Sequence, residues 1–201
     1  MTSDAATPGG DADVEAVFRR VSHMHEGSRE IRAVFARAFV QFFPQHAPVL
    51  DVGCGDGTFV QVLGEAGIAA SGIDSDPVKV DEARAARLDV TCRDLRELAA
   101  QNEKYGGVMA SHIIEHLEPR TAVKFMFDVR AVLRTGGRFV IVTPNVGHPP
   151  VIENFWLDLT HVRPYPAALL QSMLLACGFA VVNYGTVGPM LDTFLVAERT
   201  D

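Results

Sequence analysis

Cysteine is scarce in this 201-residue chain: Cys54, Cys92 and Cys177 are odd in number, far apart and without CxxC spacing. Such a set builds neither a disulfide framework nor a zinc cluster, and the thiols are expected to be reduced. Long apolar runs are also missing. None approaches the roughly 20 residues a membrane-spanning helix needs, so no membrane partner is expected. The leading MTSDAATPGGDAD has neither the basic start nor the apolar stretch of a secretion signal, which makes the cytoplasm the expected location. Positive charge is short as well. Eighteen Lys plus Arg stand against 25 Asp plus Glu, a net charge of -7. No global positive field is left to hold a phosphate backbone, so nucleic acid is excluded as a partner.

What is present suits one globular domain: 48% of residues are hydrophobic and 21% charged, at a length that can bury a core. Residues 1–13 are too poor in large apolar groups to offset the entropy of ordering them, and read as a disordered tail ahead of a single domain over 14–201. Within 14–47, Val14, Val17, Phe18 and Val21, then Ile31, Val34, Phe35, Ala38 and Phe39, recur at helical spacing on either side of the polar HMHEGSRE. Two N-terminal helices follow from that. From residue 48 onward, strand-like runs at 48–53, 69–74, 88–92, 107–111, 137–143, 179–185 and 192–198 alternate with helical patterns after Gly57, Pro77 and Asp94 and at 119–134 and 166–177. The helix at 119–134 is expected to close on Gly136-Gly137 and the one at 166–177 on Gly178. Strands separated by helices make parallel crossovers, giving an α/β, Rossmann-like doubly wound sheet of seven strands. Only Thr186 to Thr193 separates the last two runs, too few residues for a crossover helix, so the final strand should be antiparallel.

The strongest local signal is Val49-Leu-Asp-Val-Gly-Cys-Gly-Asp-Gly-Thr58, a tight turn between a strand and a helix carrying Gly53, Gly55 and Gly57. Glycine lets a ligand approach the backbone closely. Thr58 stands where a dinucleotide fingerprint wants its third glycine, and Asp51 puts an acid where a diphosphate would sit. A cationic or zwitterionic ligand is favoured over a nicotinamide cofactor. Asp74 ends the next strand, 23 residues on, where a carboxylate can accept both hydroxyl hydrogen bonds of a ribose. Asp94 and the Leu95 amide come at the third strand's end, placed either to read an adenine amino group or to cap the following helix.

Ligands in such sheets lie outside the carboxyl ends of the strands. After the fourth strand comes Ser111-His-Ile-Ile-Glu-His-Leu117, where His112, Glu115 and His116 converge if the segment turns helically. After the fifth comes a long, Pro-rich lid over 144–166 with the only Trp, Trp156, among Asp158, His161, Arg163 and Tyr165. Aromatic rings beside charged groups suit a sugar, whose C–H faces stack while its hydroxyls find polar partners. Phe155 serves equally well as a plug on the core.

DVGCGDG, GIDSD, CRDL and SHIIEHL, in that order from Val49 toward the C-terminus, resemble the successive motifs of class I S-adenosylmethionine-dependent methyltransferases. The resemblance implies S-adenosylmethionine as cofactor: Asp51, Gly53 and Gly55 on its methionine part, with Cys54 between them; Asp74 on its ribose, beside Ser75; Asp94 and Leu95 on its adenine; and Ser111 at the fourth strand end. The loop at Glu26-Gly27-Ser28-Arg29 is read as folding over the cofactor, with Arg29 near its carboxylate. More narrowly, EGSREIR, HIIEHL, TPN, FWLDLTHVRPYP and ACGF are similar to methyltransferases found with bacterial polysaccharide biosynthesis, including enzymes acting on mannose-type chains. That subgroup implies a small-molecule or oligosaccharide acceptor. HIIEH is also similar to the EVxEH stretch of ubiquinone-pathway O-methyltransferases, where the acids and His are associated with a divalent metal; His112 replaces the first acid.

Two mechanisms stay open at this point. His116 can act as general base with Glu115 or Asp158 orienting it, or Mg2+ can be held by Glu115, by His112 or His116, and by Asp158 or His161. Competing functions are methyl transfer to a phenolic or quinone acceptor and a non-catalytic cofactor-binding module. A homodimer is an expected assembly.

Overall fold

A computed structural model describes residues 10–22, 27–100, 104–189 and 191–201. Helix α1 (Asp11–Ser22) begins inside the stretch expected as a tail, with Asp11 and Asp13 meeting the positive end of the helix dipole. The rest of that expected tail, residues 1–9, lies outside the described residues. Helix α2 (Arg29–Val40) starts at Ser28, whose hydroxyl accepts from the Ile31 amide.

The core follows as β1 (Val49–Val52), α3 (Thr58–Glu65), β2 (Ala70–Asp74), α4 (Pro77–Ala85), β3 (Val90–Cys92), β4 (Tyr105–Ser111), α5 (Pro119–Val132), β5 (Leu133–Thr143), α6 (Pro149–Phe155), α7 (Ala167–Ala176), β6 (Phe179–Val187) and β7 (Asp192–Arg199). They form one seven-stranded sheet in the order β3-β2-β1-β4-β5-β7-β6. The first five strands pair in parallel, whereas β7 runs antiparallel to both β5 and β6, as the short β6–β7 connection requires. The winding reverses between β1 and β4, and in open α/β sheets ligands bind beyond the carboxyl ends of the strands at such a switch point.

Alternation along the strands fills two cores. Val108, Phe139, Ile141 and Leu195 pack on one face with Phe125, Val129 and Leu170 of α5 and α7. Met109, Val140, Val142 and Val196 point to the other, against Phe39, Phe59 and Leu63 of α2 and α3.

Two expectations are corrected. Helix α5 stops at Val132 without a glycine cap, because Leu133 is already extended and opens β5; Gly136 (φ 71°) and Gly137 lie within that strand, at a register irregularity opposite Tyr105 and Gly107. The run after Asp94 is a short 3-10 helix, Leu95–Ala100, with Leu98 its one buried residue. Among the described residues no helix is long and apolar enough to cross a membrane.

Candidate active site

The glycine loop leaves β1 with Gly53, Gly55 and Gly57 all at positive φ (71°, 53° and 74°), a backbone that side chains resist. The loop is bound to the neighbouring strand: the Gly53 and Cys54 amides donate to the Ile73 carbonyl at 2.8 and 3.1 Å. Asp74 at the tip of β2 completes the hold, accepting from the Gly55 amide at 2.8 Å through Oδ2 and from the Asp76 amide at 2.8 Å through Oδ1. Each oxygen keeps a lone pair for a further donor. The three glycines serve different ends. A Cβ at Gly53 would fall 2.0 Å from Ile113 Cδ1 and one at Gly57 would fall 2.7 Å from Leu88 Cδ1, but one at Gly55 meets nothing within 4 Å. Gly55 thus faces open space beside the strand ends. Asp51 is only 4% exposed and has neither a hydrogen-bond donor nor a cation beside it among the described residues. Burial, and then the nearby Asp74 charge, push its carboxyl well above the usual carboxylate range.

Other residues expected around the cofactor do something else, or something more. Arg29 reaches Asp56 Oδ2 at 3.0 Å and Gln61 Oε1 at 2.9 Å, and Arg32 reaches Asp56 Oδ2 at 2.6 Å, so both guanidinium groups latch α2 onto the glycine loop. Burial opposes ionisation of Asp56, yet Thr58 and Arg32 hold its carboxyl below the usual range. The Cys54 side chain turns into a small core with Val60, Val80 and Ala83, over Gly72, leaving only its backbone to the loop. Burial there pushes the thiol pKa far up. Asp94 Oδ1 accepts from the Arg96 amide at 2.8 Å and so caps the 3-10 helix. Ser75 is exposed and Ser111 and Leu95 half-buried at the same rim. Glu26 lies outside the described residues.

The second group sits past β4 and β5. His112 takes φ 55° at the end of β4, a strained position for a side-chain-bearing residue, and the next turn winds as a 3-10 helix over Ile114–His116. Glu115 is 0% exposed. Its Oε2 accepts from the Thr143 hydroxyl at 3.1 Å, and its Oε1 lies 3.2 Å from His112 Nδ1 without hydrogen-bond geometry. Burial works against ionising this carboxylate, but His112 and His116 hold its pKa below the ordinary value. His112 Nε2 is 3.7 Å from Asp192 Oδ2; burial disfavours the imidazolium, and Glu115 and Asp192 more than offset it, raising the pKa.

His116 Nδ1 is 2.8 Å from the Thr160 hydroxyl, which itself donates to Asp158 Oδ1 at 2.6 Å. Burial lowers the His116 pKa and favours its neutral form. His161 Nδ1 lies 2.6 Å from the Phe155 carbonyl and its ring centroid 4.8 Å from that of His116. Glu115, His116 and His161 each offer a ligand atom within 4.8 Å of the others. That set is one of the combinations expected from the sequence, Glu115 with His116 and the lid's His161; His112, the other imidazole expected there, has Nδ1 3.2 Å from Glu115 Oε1 and Nε2 3.7 Å from Asp192 Oδ2. Sequence patterns gave no role to Thr160, Asp192 or the Asp56 latch. The one signal for Thr160 was its place two residues after Asp158, an Asx-turn spacing realised by the Thr160 amide donating to Asp158 Oδ1 at 2.8 Å.

The lid over 144–166 contains its own helix, α6, and docks where the Val162 and Arg163 amides donate to the Glu115 carbonyl at 2.9 and 3.3 Å. Phe155 is buried as a plug. Tyr165 is too, 2% exposed, with its hydroxyl donating to the Leu117 carbonyl at 2.7 Å and the Arg163 guanidinium 5.1 Å over its ring. Trp156 is 58% exposed, with its ring edge-on to Phe155 at a centroid distance of 5.0 Å.

Residues 22–184 match the family model described as "Methyltransferase domain", and the chain belongs to this family of methyltransferases. It is 31% identical over 135 residues to a "Probable S-adenosylmethionine-dependent methyltransferase" of Mycolicibacterium smegmatis, covering 66% of this chain and 52% of that protein. It is 25% identical over 170 residues to the malonyl-[acyl-carrier protein] O-methyltransferase of Alcanivorax borkumensis, covering 80% and 57%. The chain thus spans about half the length of the curated relatives it matches. The fold is similar to that of a SAM dependent methyltransferase from Archaeoglobus fulgidus, at a TM-score of 0.80 and 23% identity over 92% of this chain and all of that one.

Proposed function

We propose that the protein is an S-adenosylmethionine-dependent O-methyltransferase acting on a hydroxyl of a ring-bearing small molecule, with His116 as general base. The observation that carries the reading is the half-buried His116–Thr160–Asp158 hydrogen-bonded chain, which lies past the ends of β4 and β5. The cofactor fits two features of the loop: the open face at Gly55, and a buried Asp51 carboxylate with no cation of its own. Asp51, Gly53 and Gly55 would hold its methionine part, Asp74 its ribose, Asp94 and Leu95 its adenine. Bound there, it supplies a methyl group already activated on a sulfonium sulfur. The remaining tasks fall to the chain, which must align the acceptor oxygen and remove its proton. A neutral imidazole at position 116, kept so by burial, accepts that proton at physiological pH.

The Glu115, His116 and His161 set also fits a divalent ion, since Glu115 Oε1 is buried with no hydrogen-bond partner and both imidazoles have Nδ1 tied to a second group. Two nitrogen donors favour zinc or manganese over magnesium, and an ion there would lower the acceptor's pKa directly.

For the acceptor, the polysaccharide-type resemblance supports a sugar or oligosaccharide, for which Trp156 offers the stacking surface. A phenolic or quinone ring is favoured by a separate observation: Ile152, Trp156, Leu157, Leu159 and Val162 are large apolar side chains that the lid exposes, while Tyr165 is buried and Arg163 lies over it. Methyl transfer from labelled cofactor to mannosides, glucosides, catechols and hydroquinones, with and without chelator, tests the whole reading. Transfer to any of them, lost in His116→Gln, supports it. Cofactor binding with no transfer to any acceptor supports the binding-module alternative instead. Loss in chelator, restored by one added ion, assigns the metal.

A further inference from the structure

The Thr160 hydroxyl has one proton and two neighbours, Asp158 Oδ1 at 2.6 Å and His116 Nδ1 at 2.8 Å. An ionised carboxylate only accepts hydrogen bonds. Were the hydroxyl proton turned toward His116, a hydroxyl lone pair would face a carboxylate oxygen at 2.6 Å, a repulsive contact with no donor between them. The proton must therefore point at Asp158, and the contact to His116 is made only if Nδ1 carries a hydrogen and donates to the hydroxyl oxygen. Asp158 is well placed to fix this polarity, because the Thr160 amide also donates to Oδ1, at 2.8 Å, and pins the carboxylate in place. His161 has the same polarity by a separate route, since a backbone carbonyl such as that of Phe155 can only accept from Nδ1.

We infer that Thr160 and Asp158 are positioning residues that lock His116 in its Nδ1–H tautomer, so that Nε2 is left as the unprotonated nitrogen. This rests on the reading of His116 as the working imidazole, and it adds which nitrogen works and what holds it so. Neither residue touches the reacting atoms; they act through the ring. A serine at 160 would keep the relay, whereas valine, close in shape, would remove it.

The test is long-range 1H–15N correlation on the full chain with 15N-labelled histidine, in chelator and at about pH 8, where an ordinary imidazole is neutral. The His116 signals are identified by their loss in His116→Gln. The expected wild-type pattern has a protonated Nδ1 and a pyridine-type Nε2. Thr160→Val and Asp158→Ala should each move His116 toward the Nε2–H form, and Thr160→Ser should keep the wild-type pattern. In turnover, Thr160→Val should lower kcat roughly tenfold to a hundredfold with little change in the acceptor KM, and Thr160→Ser should recover most of that loss. A wild-type His116 in the Nε2–H form, or a Thr160→Val spectrum still wholly Nδ1–H, overturns the inference. Spectra that shift as expected while both His116→Gln and Thr160→Val transfer methyl at the wild-type rate uphold the relay and overturn the base assignment, so the two failures are distinct.

Discussion

The Gly55 amide donates to Asp74 Oδ2 at 2.8 Å, so the carboxylate at the tip of β2 sets the shape of the loop leaving β1. Gly53 and Gly55, two residues apart on that loop, should then respond differently to a methyl group. Gly53→Ala combines a φ of 71° with a contact of 2.0 Å to Ile113 and should cost about 2–3 kcal/mol of stability. Gly55→Ala meets open space and bears only the left-handed strain, about 1 kcal/mol, while placing a methyl where the cofactor is proposed to lie. Thermal unfolding and calorimetric titration with S-adenosylhomocysteine separate the two: Gly53→Ala should lose several degrees of Tm, and Gly55→Ala should keep most of its Tm and lose at least about tenfold in affinity. Unchanged affinity in Gly55→Ala would move the ligand elsewhere.

Asp51 gives a pH-dependent contrast. Its pKa in the fold lies above the unfolded value, so its stabilising contribution is complete below the ordinary Asp range and is lost as pH rises through the folded value. Asp51→Asn removes the desolvated charge, and the unliganded variant should be more stable than wild type at pH 7, by about 1 kcal/mol or roughly 2–4 °C. The difference should shrink toward zero below about pH 4. The same variant should bind S-adenosylmethionine more weakly, because the carboxylate is proposed to face the cofactor's cationic groups. Equal Tm values across the pH range would remove Asp51 as a strained, ligand-directed acid.

Chain-local features were legible in the sequence. The seven strands, the antiparallel last strand and the Gly53–Gly57 turn all follow from periodicity, connection length and glycine spacing. Gly136-Gly137 misled because glycines after a helical run usually close it, and here a strand irregularity beside Gly107 uses them instead. At the candidate site, His116, Asp158 and His161 stood out by residue type, but the hydroxyl joining two of them did not. Whether Thr160 spans the gap depends on how the lid docks on the Glu115 carbonyl, a contact between segments more than 40 residues apart. The Asp56 latch was hidden for the same reason, since Arg29 and Arg32 reach it from another helix.

That latch is testable by itself. Asp56→Ala leaves Arg29 and Arg32, each about one-third exposed, without their carboxylate and frees the Thr58 amide at the start of α3. Because solvent screens the arginines, the expected cost at pH 7 is moderate, about 1–2 kcal/mol by denaturant unfolding. The folded Asp56 pKa lies below the unfolded one, so the wild-type advantage holds above the ordinary Asp range and fades as pH falls through the folded value. An advantage that persists undiminished at about pH 2 would mean the side chain acts by packing rather than by charge.

Tyr165 and Trp156 separate architecture from recognition in the lid. Both were expected near an acceptor, but the Tyr165 hydroxyl is spent on the Leu117 carbonyl inside the core, whereas Trp156 projects into solvent. Tyr165→Phe leaves a buried carbonyl without its donor and should cost about 1–2 kcal/mol, with acceptor KM unchanged at a temperature where the variant is folded. Trp156→Ala removes a mostly exposed ring and its edge contact with Phe155, so its Tm should fall by about 2–4 °C, the scale of the roughly 1 kcal/mol such a ring pair contributes. Its acceptor KM should rise roughly tenfold, the scale of one lost stacking contact on a ring. A KM effect in Tyr165→Phe, or none in Trp156→Ala for any methylated acceptor, would place the acceptor against a different part of the lid.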